Sequence, residues 1–382
     1  MNQELTYWVA LAHTPKIWTA RKNEIIAFCF QQGKTLVDFF TSDIFLEMEL
    51  TPQEKELLLQ TRAELANYAF MVEELLNQGY EIIPVTSKEY SPTLKSNLKY
   101  NSPIVLYTKG NKQILQEKSI AIVGSRNAND MSLLFTENVA RKASKEYKVV
   151  VSGFAKGVDK QALDSAIAHK GQSIIVLPQG ITTFASGMKK YYKQIIEGDV
   201  LVLSTFHPKL PWSVDLAMAR NSIIYGLASE IYAAQSDDKG GTWCGVTDGL
   251  KKGRNVYVRH PERNEKCANL TLISMGAFPV DIEGNIIQAT QPFKKEETEL
   301  TQLNINIVTP SKSIEKDIIK LLEKRAYSSK EIIINLNLTE YSIQKMTSIL
   351  SKMERISKRK EGKTFKYFIP STTCTRQLSL TL

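Results

Sequence analysis

The stretch Ser119-Ile120-Ala121-Ile122-Val123-Gly124-Ser125-Arg126 decides the fold: a short apolar run that stops on a glycine, a hydroxyl and a guanidinium. An unbroken apolar run of this length suits a strand covered on both faces, as in a parallel sheet. Five more runs repeat the theme downstream: Val149-Val150-Val151, Ile174-Ile175-Val176-Leu177, Leu201-Val202-Leu203, Ile231-Tyr232-Ala233 and Val256-Tyr257-Val258. Between the first two, Phe135, Val139 and Ala143 recur every fourth residue, and after the second, Leu163, Ala166 and Ile167 form another helical stripe. Strands alternating with helices, each helix with one apolar face, predict a Rossmann-like α/β domain built on a mostly parallel sheet.

Residues 1–80 read as a helical domain, with Leu5, Trp8, Val9 and Ala12 on one face and Ile25, Ile26 and Cys29 at matching spacing. Ile82-Ile83-Pro84-Val85 and Ile104-Val105-Leu106-Tyr107 look like a lead-in, so the extended Rossmann-like domain is drawn over 81–284. Residues 285–312 are polar, carry Pro292 and Pro310, and read as a linker. In 313–372, Ile314, Ile318 and Leu321-Leu322 mark one helix and Tyr341 to Met353 another. A hairpin over Lys358 to Ile369 turns at Gly362. Two helices and a terminal hairpin make a winged-helix pattern.

The composition is that of an ordinary folded protein, with 43% hydrophobic and 23% charged residues over 382 positions. A formal charge of +9 favours polyanionic partners without identifying them. Between Ser311 and Pro370 there are 14 Lys or Arg against 7 Asp or Glu, and Lys358-Arg359-Lys360 and Lys363 flank the expected wing. That basic surface suits nucleic acid and suits a solvated or protein-docking face equally well. Cys29, Cys244, Cys267 and Cys374 are far apart and lack metal-ligand spacing, so reduced thiols and no metal are expected. With no basic leader and no long apolar run, the expected compartment is the cytoplasm, without membrane association.

The chemistry is expected at the carboxyl ends of the strands, where open α/β sheets bind ligands. Gly124-Ser125-Arg126 follows the first strand; taken alone it serves equally as a plain βα turn. Ser152-Gly153-Phe154-Ala155-Lys156-Gly157-Val158-Asp159 follows the second, offering glycines and a lysine ahead of a helix, with Asp159 expected as that helix's N-cap. Arg220-Asn221 supplies a charged and a neutral donor, and Lys239-Gly240-Gly241-Thr242 follows the fifth strand. Each is common by itself; four on one sheet edge point to phosphate. The binding set is therefore Gly124, Ser125, Arg126, Ser152, Gly153, Lys156, Gly157, Arg220, Asn221, Lys239, Gly240, Gly241 and Thr242. Neither G-x-G-x-x-G after the first strand nor G-x-x-x-x-G-K-[ST] occurs, so no dinucleotide cofactor and no NTP hydrolysis are expected.

With these residues assembled, the sequence resembles the DprA/Smf family of DNA-processing proteins. The likeness is carried by Gly124-Ser125-Arg126, the Ser152 to Asp159 segment, Val176-Leu177-Pro178-Gln179-Gly180-Ile181 and Arg220-Asn221. It extends to Tyr90-Ser91-Pro92-Thr93-Leu94 upstream and Leu272-Ile273-Ser274-Met275-Gly276-Ala277 downstream. The resemblance implies a non-enzymatic protein that binds single-stranded DNA, protects incoming transforming strands and loads a RecA-type recombinase onto them. It also implies a homodimer formed through the Rossmann domain. Phosphates would be held by the binding set above, without reading base sequence.

The chain departs from that pattern in two places. Ser222 follows the Arg-Asn pair where the family has arginine, and Val214 to Ala219 lacks the family's aromatic, which removes a base platform there. Lys239-Gly240-Gly241-Thr242-Trp243-Cys244 and His260-Pro261 replace the usual later loops, and Trp243 is expected to pack as helix core. The other reading is a nucleotide-ligand sensor or a phosphoribohydrolase-like protein of the same superfamily. The hydrolase chemistry needs carboxylates close behind the glycine loop, where the first acid here is Asp248.

Overall fold

The structure is a computed structural model and describes residues 2–42, 47–287, 313–323, 325–336, 346–347, 350, 353, 356–361 and 364–369. The chain divides into two compact units, Met1–Pro292 and Phe293–Leu382.

The first unit begins with helices α1 (Asn2–His13), α2 (Thr19–Gln31), α3 (Leu36–Thr41), α4 (Pro52–Ala63) and α5 (Leu65–Asn77). Their starts are written in the sequence: Thr35 with Asp38, and Thr51 with Glu54, form reciprocal capping boxes, and Pro52 sits where a missing N–H costs nothing. Trp8, Val9, Ile25, Cys29, Phe39, Leu58 and Leu75 share one apolar core with the strands that follow.

Then come β1 (Glu81–Pro84), α6 (Pro92–Leu98), β2 (Val105–Lys109), β3 (Ser119–Val123), α7 (Asp130–Lys145), β4 (Val149–Ser152), α8 (Val158–Ala168) and β5 (Ser173–Val176). The unit continues through α9 (Ala185–Lys190), α10 (Tyr192–Glu197), β6 (Val200–Ser204), α11 (Val214–Leu227), β7 (Glu230–Ala233), α12 (Gly240–Lys251), β8 (Asn255–Arg259), α13 (Asn269–Ser274) and β9 (Phe278–Val280). The nine strands form one sheet in the order β1-β2-β6-β5-β4-β3-β7-β8-β9. β3 to β9 run parallel, and β2 joins β6 antiparallel. All six expected strands are present in a Rossmann-like α/β sheet. The lead-in segments supply β1 and β2, which extend the sheet beyond β6. β9 has no counterpart among the expectations: three residues with a central Pro279 carry too little pattern to read.

Strand alternation sorts the side chains into two layers. Ile120, Ile122 and Val150 pack with Phe135, Val139, Ala143, Ala162 and Ala166 of α7 and α8, while Ala121, Val123, Val149 and Val151 join the opposite core with Ile223 and Ile224 of α11. Trp243 is half-buried against that second core, as helix packing requires.

The second unit contains α14 (Ser313–Leu322), α15 (Ser329–Asn335) and an antiparallel hairpin of β10 (Ser357–Glu361) and β11 (Thr364–Phe368). Ile318, Leu322, Ile332, Met346, Leu350 and Tyr367 form its core. Nearly all of the expected linker, most of the expected Tyr341–Met353 helix and the turn at Gly362 lie outside the described residues.

Candidate phosphate-binding site

The chain lays β4, β5 and β6 on one side of β3 and then crosses to place β7, β8 and β9 on the other. Where the strand order reverses, neighbouring loops leave in opposite directions and open a crevice at the carboxyl ends. A cavity of about 360 Å³ occupies that position between β3 and β7.

All four expected segments reach it: Gly124, Ser125 and Arg126; Ala155 and Asp159 of the Ser152 to Asp159 segment; Arg220 and Asn221 from α11; and Lys239, Gly240, Gly241 and Thr242 at the start of α12. Gly124 is needed for packing, because a Cβ there would press on Val158 at the head of α8. Gly157 has φ +86°, and a Cβ on it would meet the carbonyl oxygens of Ser125 and Arg126. Val158 N in turn donates to Ser125 O at 3.3 Å, so α8 starts directly beneath the arginine loop. Helix α12 has Lys239 as N-cap and no side chain capping it, which leaves first-turn N–H groups directed at the cavity end. Arg126 and Lys239 are exposed cations; Asp237 also lines the cavity and opposes them.

Arg220 differs from those surface cations. It is only 3% exposed, and its Nε and Nη1 have no hydrogen-bond partner among the described residues. Its nearest counter-charge is Asp159 Oδ2, 3.6 Å from Nη1. Asp159 is not the N-cap of α8, as expected from sequence; Gly157 is, and Asp159 lies within the first turn. With the turn set by the positive φ of Gly157, the carboxylate lies near the backbone N–H groups of Gly153 and Ala155, which favour its charged form, and faces Arg220. Burial pushes the Asp159 carboxyl above its ordinary range, opposed by Arg220, and burial lowers the Arg220 guanidinium. Buried donors without acceptors are costly, typically about 1 to 3 kcal/mol each. An anion placed in the cavity would relieve that cost.

The remaining expected residues serve differently. Ser152 is fully buried and its Oγ donates to Ile122 O at 2.7 Å, so its hydroxyl ties two strands together. Gly153 makes room: a Cβ there would collide with the Arg220 guanidinium and the Asp159 carboxylate. Lys156 is exposed and lines a second cavity of about 240 Å³, which shares Arg126, Ala155, Ala217 and Arg220 with the first.

That second cavity contains what the sequence reading missed. Trp212, 50% exposed, and Phe154 line it, so an aromatic platform stands in the loop before α11 rather than within Val214 to Ala219. The signal was a tryptophan beside Pro211, outside the stretch where an aromatic was sought. Also missed was the support of the arginine loop. Gln235 O accepts from Ser125 N at 2.9 Å, and its Oε1 accepts from Asn129 N at 3.0 Å and Ser132 Oγ at 3.1 Å. Behind it, buried Arg259 donates to Ala234 O, Ser132 Oγ and Glu265, and Glu265 accepts from Asn129 Nδ2. No group of three or more metal-ligating side chains occurs among the described residues, nor a helix long and apolar enough to cross a membrane.

Comparison with known proteins agrees with this architecture. The DNA processing protein DprA of Streptococcus pneumoniae is 32% identical over 160 residues, covering 42% of this chain and 56% of that protein. DprA of Bacillus subtilis is 28% identical over 228 residues, covering 56% of this chain and 76% of that protein. The alignment thus spans little more than half the length of the first relative. The X-ray structure of the Streptococcus pneumoniae protein superposes with a TM-score of 0.57 at 22% identity, covering 73% of this chain and 94% of that one, which supports the shared fold. The family model for DNA recombination-mediator protein A matches residues 81–291, more than half of the chain and the whole of the sheet that forms the crevice, so this chain belongs to the DNA recombination-mediator protein A family.

Proposed function

We propose that the protein binds single-stranded DNA through its phosphates at the switch-point crevice, shields it, and passes it to a RecA-type recombinase during DNA processing such as natural transformation. The observation that carries this reading is the buried Arg220, with unpartnered Nε and Nη1 at a cavity also lined by Arg126, Lys239 and the open end of α12. Phosphates met by backbone N–H groups and cations are bound without base readout, and Trp212 beside Phe154 offers a face on which a base stacks. Membership in a recombination-mediator family supports the recombinase partner in this reading. The protein acts in this reading as a binder and loader, without catalytic residues.

In the same reading, segments 1–80, 81–284 and 313–372 act as helical, strand-binding and winged-helix parts joined by 285–312, in the cytoplasm. The protein pairs as a homodimer along the β9 side of the sheet, where Leu270, Met275, Phe278, Ile286 and Ile287 are exposed.

A second reading has one supporting observation: at about 360 Å³ the crevice also falls within the size of small-ligand sites, which suits a nucleotide-derived ligand. One titration decides. Fluorescently labelled single-stranded DNA is expected to bind with an affinity that falls steeply as salt rises, and Arg126→Ala is expected to weaken it. Salt-insensitive binding, or no loss in Arg126→Ala, overturns the strand reading; saturable heat with a mononucleotide but none with the strand supports the second.

A further inference from the structure

Away from the crevice, the end of α6 and one face of α2 enclose a groove of about 500 Å³. Its α2 wall is the stripe Asn23, Ile26, Ala27 and Phe30, spaced three and four apart, so α2 has an outward apolar face besides the inward one of Ile25 and Cys29. Phe30 is 83% exposed and Tyr100 61% exposed. Two apolar rings left in water beside an apolar groove are an interaction surface.

The charge of the groove selects the partner. Lys95 and Lys99 line it, and no carboxylate lines it among the described residues. Lys99, the C-cap of α6, sits at φ +50°, a left-handed conformation that a side-chain-bearing residue adopts at some energetic cost. Aromatic faces alternating with cations, free of acids, match a strand of nucleic acid, whose bases stack while its phosphates meet the lysines.

The end of α6 also borders a cavity that adjoins the candidate site. A smaller cavity beside the crevice shares Met218, Asn221, Tyr225 and Gly241 with it and reaches Asn97 and Leu98, the residues immediately before Lys99 and Tyr100. We infer that a single strand held at the crevice continues over the end of α6 into this groove, where its bases stack on Tyr100 and Phe30. The inference rests on the strand-binding reading of the crevice and assigns the helical segment a direct share in DNA binding.

The test compares oligothymidylates of about 6 and about 20 nucleotides on the full chain, the shorter sized for the crevice alone. Phe30→Ala/Tyr100→Ala, both at exposed positions, is expected to bind the short strand as the unaltered protein does and the long strand about tenfold more weakly. Quenching of Tyr100→Trp in excess of that of the unaltered protein, whose Trp212 already stands at the crevice, is expected with the long strand only. Equal affinity of the double variant for the long strand, with no excess quenching, overturns the inference. If Arg126→Ala then weakens both strands, the crevice reading stands without the groove; if it weakens neither, the crevice reading falls first. Self-association that the double variant abolishes, with the long strand bound as before, assigns the groove to a second copy of the chain and also overturns the inference.

Discussion

Two buried arginines, one closing strand β8 and one on helix α11, lie on opposite sides of the switch point, and their surroundings differ. Arg259, at the end of β8, is 1% exposed and fully engaged: Nε donates to Ala234 O at 3.0 Å, Nη1 to Glu265 at 3.0 Å, and Nη2 to Ser132 Oγ at 3.0 Å and to Glu265. Arg220, on α11, is nearly as buried but has two donors idle and a carboxylate 3.6 Å away. A buried cation stabilises only when its donors are satisfied, so Arg259 reads as architecture and Arg220 as a group waiting for an acceptor. Charge and exposure alone would not have told the two apart.

The largest expected effect is on the engaged partner. Arg259→Met strands Glu265 in the interior without its counter-charge, and urea denaturation should show a loss of about 3 to 5 kcal/mol. A loss below about 1 kcal/mol would remove the distinction between the two arginines.

Next in size is a half-buried group that the fold keeps neutral. His13 shares a hydrogen bond of 2.7 Å with Tyr107 Oη, and burial, with His207 and Lys22 nearby, brings its imidazole down to about 3. The unfolded chain therefore takes up this proton first on acidification. Its contribution is complete above the ordinary value of 6.5 and declines as pH falls toward 3, by up to about 1.4 kcal/mol per pH unit. Urea midpoints at neutral and mildly acidic pH should show that slope, and His13→Gln should flatten it.

Removing the idle pair as a whole tests function apart from stability. Asp159→Asn/Arg220→Met leaves no unpaired charge, so the melting temperature should move little while single-strand affinity falls about tenfold, or about 1.4 kcal/mol. Unchanged affinity would make Arg220 an architectural residue after all. The smallest effect belongs to Lys156→Ala at the rim: a few-fold weaker binding at low salt, with the log–log salt slope reduced by about 0.7. A change in preference among base sequences in this variant would point to base contact instead of phosphate contact.

Gly124 and Gly157 were legible because glycine at a strand end or helix start announces close approach whatever the fold around it, and both do bring backbone close to a neighbour. Ser152 and Gly153 carried the same local signal and turned out to tie strands and to clear space for Arg220. Trp212 was legible only as a tryptophan beside Pro211; that it stands exposed was not, since nothing local distinguishes an exposed tryptophan in a loop from a buried one.

The sequence by itself determined the alternation of strands and helices, their apolar faces and the glycine turns, because these depend on neighbours two to four residues away. Only the tertiary structure decided which strand ends meet at the switch point, that Asp159 turns from a cap into a partner of Arg220, and that α2 and α6 enclose a groove. Those outcomes depend on burial and on contacts between residues far apart in the chain, and whether a polar group is desolvated and whether it finds a partner are properties of the packed molecule alone.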